Sequence, residues 1–270
     1  MMWKTLPRYR TTNNIAYYKT GNGPAILLIH GVGLRLESWN AQINILSQEH
    51  TVYAIDLPGH GESDQLILES PNIDLYTQQI KLFADEMITG AFIVMGHSLG
   101  ALIAIRFAHL HKKYCLGVVA LNCVYQRSKK AMSFVKSRAT KLALEGPKNI
   151  IPQTIDRWFG ENPTGSNIEI ASTCKQWLEA TNIEGYSHAY NTFAHEDGVA
   201  EKLLIMNNLP IAFITGTLDS NSTPLMSQDM ATTSPFGMVE LIPEAGHMAQ
   251  MTHSKEVGEV LRLFALGIRN

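Results

Sequence analysis

Gly96-His97-Ser98-Leu99-Gly100 lies directly after an apolar run, Ala91–Met95, and directly before a segment of helical period, Leu99–His109. Two glycines flanking one serine between a strand and a helix commit the chain to a sharp turn. Side chains at the flanking positions would clash there, and the central residue takes a strained conformation. The Ser98 hydroxyl then points away from the sheet edge. The Leu99 N–H lies at a helix N-terminus, which favours developing negative charge.

The same alternation of short apolar run and helix-period segment recurs along the chain. Ile15–Lys19, Ala25–His30, Thr51–Ile55, Ala91–Met95 and Gly117–Asn122 read as strands. Trp39, Ile43 and Leu46 share one helical face, as do Tyr76, Ile80, Phe83 and Met87 behind Asp74, a candidate N-cap. From about Tyr125 to Leu204 the pattern is helical only, and alternation then resumes with Pro210–Thr215, Met238–Ile242 and a last helix over Lys255–Leu266. This order predicts an α/β fold, a mostly parallel sheet with helices on both faces. It also predicts a core over 1–124 and 205–270 and an inserted helical lid over 125–204.

Composition removes several function classes. The 270 residues carry 22 Lys+Arg against 24 Asp+Glu, with none of the basic excess of a nucleic-acid binder. The longest aliphatic stretch, Ala25–Ile29, is far below the roughly 20 residues that span a bilayer. The first residues, MMWKTLPRYRTTNN, hold no apolar run of the kind expected of a signal peptide, and Cys115, Cys123 and Cys174 fit neither full pairing nor a zinc motif. A cytoplasmic protein is expected, with no nucleic-acid or membrane partner; self-association is compatible with the sequence.

A hydroxyl is a poor nucleophile until a base takes its proton. Successive parallel strands end on one side, so loops after the last strands reach the edge that bears Ser98. His247 lies in Pro243-Glu-Ala-Gly-His247, just past the last strand. Asp219 is the one carboxylate of the preceding loop, Gly216–Pro224. Ser98, Asp219 and His247 are therefore the candidate catalytic residues. After Ala25–His30, the loop Gly31-Val32-Gly33 offers the Val32 N–H as a second oxyanion donor beside that of Leu99. His30 is expected to hold this loop by hydrogen bonds. This chemistry needs no metal and no cofactor.

These residues resemble the α/β-hydrolase fold enzymes. The resemblance rests on HGVG at 30–33, DLPGHGESD at 56–64, GHSLG at 96–100, GTLDSNSTP at 216–224 and EAGH at 244–247. Asp156–Gly160 and the segment from Gly185 to Leu203 are similar to the lid of 3-oxoadipate enol-lactonases and their relatives. That resemblance implies a small carboxylated catabolic substrate. The leading form is C–N hydrolysis of a ring-opened N-heterocycle product, such as an N-formyl or (N-methylformamido)methylene derivative of succinate. Ester or enol-lactone hydrolysis, C–C cleavage of a meta-cleavage product, and a non-catalytic ligand receptor are the alternatives.

Three residues are candidates for substrate binding. Arg35 follows the oxyanion loop, where a guanidinium can clamp a carboxylate with two parallel hydrogen bonds. Arg127 belongs to a stretch, Gln126–Lys148, with seven basic residues and one acid, able to steer an anion. Trp158 is expected to wall the pocket, by resemblance.

Overall fold

The structure is a computed structural model that describes residues 3–66, 71–197, 202–203, 206 and 208–268. The strands β1 (Tyr9–Arg10) and β2 (Ala16–Thr20) lead into β3 (Ala25–Ile29), the aliphatic run expected to be buried. A 3-10 turn (Leu36–Trp39) and α1 (Asn40–Leu46) connect to β4 (Thr51–Ile55). Next come α2 (Ile73–Met87), β5 (Phe92–His97), α3 (Leu99–Leu110) and β6 (Cys115–Leu121). Four helices follow: α4 (Lys129–Glu145), α5 (Ile151–Phe159), α6 (Ser166–Ala180) and α7 (Ile183–His195). The chain ends with β7 (Ile211–Gly216), α8 (Pro224–Thr233), β8 (Gly237–Ile242), α9 (Ala249–Thr252) and α10 (Ser254–Gly267).

The strands form one eight-stranded sheet in the order β1-β2-β4-β3-β5-β6-β7-β8. The β1–β2 and β2–β4 pairs are antiparallel and the pairs from β4 to β8 are parallel. The fold is the α/β architecture expected from strand–helix alternation. Because side chains alternate across a strand, Leu27 and Ile29 enter one core with α2 and α3, while Ile26 and Leu28 enter the other with α1 and α10. Each fully buried aliphatic side chain of this kind contributes about 1.5–3 kcal/mol.

Helix α2 begins two residues earlier than expected. Asn72, not Asp74, is its N-cap, accepting from the N–H groups of Asp74 and Leu75. Asp74 stands in the first turn and pairs with Arg106 at 2.9 Å. Helices α4–α7 occupy the stretch expected to be purely helical. The expected lid boundary at 204/205 involves residues outside the described ones.

Candidate active site

Hydrogen bonds continue the sheet ladder beyond the strand ends and so set four loops side by side. Ser98 N–H donates to Leu121 O (2.9 Å), Asn122 N–H to Ile214 O (2.8 Å) and Leu218 N–H to Ala245 O (2.9 Å). The residues after β5, β6, β7 and β8 thus meet at one edge.

Ser98 has φ 54° and ψ −113°, the strained turn expected of it. The two glycines explain why the turn can form. A Cβ on Gly96 would lie 2.0 Å from Gly100 O, and one on Gly100 would lie 2.3 Å from Ile29 O. Neither clash can be relieved without moving backbone.

Ser98 Oγ is 3.2 Å from His247 Nε2, and His247 Nδ1 is 2.8 Å from Asp219 Oδ2. All three residues are nearly enclosed, with 3%, 2% and 3% of their surfaces exposed. Asp219 Oδ1 accepts the N–H groups of Asn221 (2.8 Å) and Ser222 (3.0 Å). Its Oδ2 also accepts Asn122 Nδ2–H at 2.7 Å. Burial pushes this carboxyl up, but the His247 ring and the N–H donors outweigh it and hold the group below the ordinary range. A hydroxyl, an imidazole and a buried carboxylate linked in this order can move a proton off the hydroxyl as it attacks a carbonyl.

Two further residues support this chain, and sequence reading missed both. Asn122 follows β6 in the left-handed region (φ 50°), which asparagine tolerates, and that conformation goes with its amide reaching Asp219. His97 Nε2–H donates to the backbone O of His247 at 2.9 Å, tying the histidine loop to the end of β5. Burial, with the His247 ring beside it, pushes His97 down to about 3, so it is neutral.

The loop after β3 lies against Ser98. A Cβ on Gly31 would stand 3.2 Å from Ser98 Cβ. His30 Nδ1–H donates to Gly31 O at 2.7 Å, and its Nε2 accepts Leu57 N–H at 2.9 Å. His30 therefore holds the loop, as expected. Val32 sits within this loop, and Leu99 opens α3 directly after Ser98. Helices α6 and α7 close on the same loop: a Cβ on Gly33 would lie 2.5 Å from Leu178 Cδ2 and 3.0 Å from Tyr186 Cε2.

The sequence profile of the alpha/beta hydrolase family matches residues 26–260. The chain belongs to the alpha/beta hydrolase family. It is 33% identical over 97% of both chains to (E)-2-((N-methylformamido)methylene)succinate hydrolase of Acinetobacter baylyi. It is 23% identical to 3-oxoadipate enol-lactonase 1 of the same organism, over 92% of this chain and 91% of that one. Among solved structures, a thermophilic esterase of Thermogutta terrifontis superposes with a TM-score of 0.87 at 24% identity, covering 98% of this chain and 100% of that one. The enol-lactonase of Burkholderia xenovorans LB400 gives 0.83 at 21% identity, covering 94% and 98%.

In this alpha/beta hydrolase the candidate binding residues fare differently. Trp158 of α5 packs on the His247 ring, with centroids 6.3 Å apart and planes 28° apart. Arg35 instead donates Nε–H to Glu37 Oε2 at 2.7 Å. Glu37 is buried and also pairs with Arg8, in a network that reaches Asp56. The Nε–H of Arg35 thus serves an internal carboxylate, and the clamp expected of Arg35 is corrected to that extent. Arg127 is likewise committed: it donates to Glu196 O (3.0 Å) and Phe193 O (3.1 Å) and lies over the Phe193 ring. Its guanidinium fastens the start of α4 to the end of α7, so its assignment to substrate is corrected too. Of the seven basic residues near α4, Arg127 and Arg138 are buried, while Lys129, Lys130, Lys136, Lys141 and Lys148 are exposed.

Arg157, next to Trp158, was not singled out from sequence. It is half-buried within electrostatic reach of Tyr186, and among the described residues its buried Nε has no hydrogen-bond partner. Nothing local in the sequence distinguishes it from Arg35 or Arg127. Among the described residues, no group of three or more His, Cys, Asp or Glu side chains is arranged to hold a metal ion.

Proposed function

We propose that this hydrolase cleaves a small carboxylated metabolite through a serine nucleophile, with C–N hydrolysis of an enamide of succinate as its reaction. The hydrogen-bonded chain Ser98–His247–Asp219 carries the reading. Ser98 Oγ attacks the acyl carbon while His247 Nε2 takes its proton. The Val32 and Leu99 N–H groups receive the oxyanion. His247 returns the proton to the leaving nitrogen, and water then releases the acyl group from Ser98. Asp219 keeps the proton of the resting imidazole on Nδ1, so that Nε2 faces the hydroxyl as acceptor.

Two observations support the substrate class. The relative with 33% identity bears the name of a hydrolase of an N-acylated enamide of succinate. Arg157 stands beside Trp158 with a buried donor unsatisfied, a state that a substrate carboxylate would relieve. The helices α4–α7 form the lid in this reading. Through Trp158 they cover the His247 ring, so substrate enters as they part.

The test is a comparison of kcat/KM on (E)-2-((N-methylformamido)methylene)succinate, its neutral diester, an enol-lactone and p-nitrophenyl acetate. The proposal expects the enamide dianion to be preferred by at least tenfold. A preference for the lactone would move the assignment to enol-lactone hydrolysis. A preference for the neutral esters would make the protein a general carboxylesterase. One burst of nitrophenol without turnover would favour a receptor.

A further inference from the structure

His60 has no part in the Ser98–His247–Asp219 chain, yet it is buried beside the loop that approaches Ser98. Its Nε2 accepts the Gly33 N–H at 2.9 Å. That bond requires the proton on Nδ1, which donates to Pro58 O at 3.1 Å. The His30 and His60 rings lie 5.3 Å apart.

The two histidines grip the loop on either side of Val32. Peptide groups are rigid planes, so the Val32 N–H direction is set by the plane it shares with Gly31 C=O. His30 Nδ1–H holds that carbonyl. The next plane contains Gly33 N–H, and His60 holds that one. With one atom fixed in each flanking plane, the two soft dihedrals of Val32 lose their freedom.

The far side of the loop is closed as well. A Cβ on Gly59 would lie 2.5 Å from Gly185 Cα of α7, and Gly33 meets Tyr186 of the same helix turn. The segment bearing His60 and the loop it grips are therefore backed by one turn of α7. Burial also pushes His60 down to about 4, which keeps Nε2 an acceptor near neutral pH.

We propose that His60 is a positioning residue for the hydrolytic reaction, acting through Gly33 to hold the Val32 N–H where the oxyanion forms. This rests on the reading of Ser98 as nucleophile and Val32 as oxyanion donor. A donor held in place matters only when charge develops, so its loss should appear in kcat.

The experiment compares His60→Ala, His60→Leu, His60→Gln and Ser98→Ala. Each is assayed for kcat, for KM and for affinity toward a trifluoromethyl ketone, which forms an oxyanion on the serine. Removing the acceptor should lower kcat roughly 10- to 100-fold, with KM within about threefold, and should weaken the ketone in proportion. Glutamine, whose carbonyl can accept the Gly33 N–H, should restore part of both losses. A folded His60→Ala or His60→Leu protein with kcat within threefold of wild type would overturn the proposal. So would a loss confined to KM, or one that leaves ketone affinity unchanged. Should both deletion variants fail to fold, the wild-type protein carries the test. Its Gly33 amide and His60 ring-nitrogen resonances should shift when the ketone binds, and unmoved resonances overturn the role. An inactive Ser98→Ala with an unimpaired His60→Ala refutes only the positioning role; an active Ser98→Ala refutes the reading beneath it.

Discussion

The Trp158 indole lies over the His247 imidazole at 6.3 Å with their planes inclined by only 28°. A helix inserted between β6 and β7 thereby touches the ring that bonds Ser98. The backbone repeats the link, because a Cβ on Gly246 would stand 3.1 Å from Trp158 O.

Trp158→Ala should therefore lower kcat/KM about tenfold or more by letting water and alternative ring positions reach His247. Truncating a buried tryptophan also costs about 3–5 kcal/mol of stability. Trp158→Phe keeps a flat ring and should retain most of both. Equal activity in the two variants would show that the stacking has no effect on His247.

Asn122 should matter through Asp219. Its Nδ2–H is one of four donors on that carboxylate, counting His247. Asn122→Ala removes a hydrogen bond to a charged group, worth about 1.5–3 kcal/mol. If the resulting freedom of Asp219 is felt by His247, kcat falls roughly tenfold with little change in KM. An unchanged kcat would limit Asn122 to a structural role.

Acid should destabilise the protein through its buried neutral histidines. Burial holds His30, His60 and His97 below the ordinary value, His60 at about 4 and His97 at about 3. The unfolded chain binds a proton at each below pH of about 6.5, whereas the folded chain does not. Their contribution is thus full above about 6.5 and is lost as the pH falls toward the folded values. At pH 5 His60 and His97 each cost about 2 kcal/mol relative to neutral pH, and His30 acts in the same direction. The urea midpoint should drop clearly between pH 7.5 and pH 5; a constant midpoint would contradict the burial of three neutral rings.

Arg157 and Arg35 should separate by substrate charge. Arg157→Gln should cost the dianionic enamide roughly 30- to 1000-fold in kcat/KM, and p-nitrophenyl acetate little. Arg35→Gln should affect both substrates equally, because Arg35 serves Glu37. The reverse pattern would return the clamp to Arg35.

Fold and site were legible in the sequence to different depths. Strand–helix alternation is a local pattern, so the sheet and its helical interruption could be read from it directly. Ser98, Asp219 and His247 each stand in a loop whose edge of the sheet follows from parallel topology, and the structure brings them together. The partners of Arg35 and Arg127 were not legible, because a guanidinium near a loop looks free until its partner is known. Glu37 is two residues from Arg35, but only folding buries it with Arg8. Phe193 and Glu196 lie 66 and 69 residues from Arg127. His60 and Asn122 were missed for the same reason: their partners, Gly33 and Asp219, are 27 and 97 residues away.

The central claim is that Ser98 forms a covalent acyl intermediate. Its most direct test is intact-protein and peptide mass spectrometry after treatment with an organophosphate, alongside turnover of Ser98→Ala. One phosphoryl group should appear on the peptide bearing Ser98, in step with loss of activity. Ser98→Ala should take up none and lose on the order of 10⁴–10⁶ in kcat. A label on another residue, or a Ser98→Ala variant retaining a tenth of wild-type turnover, would contradict the account.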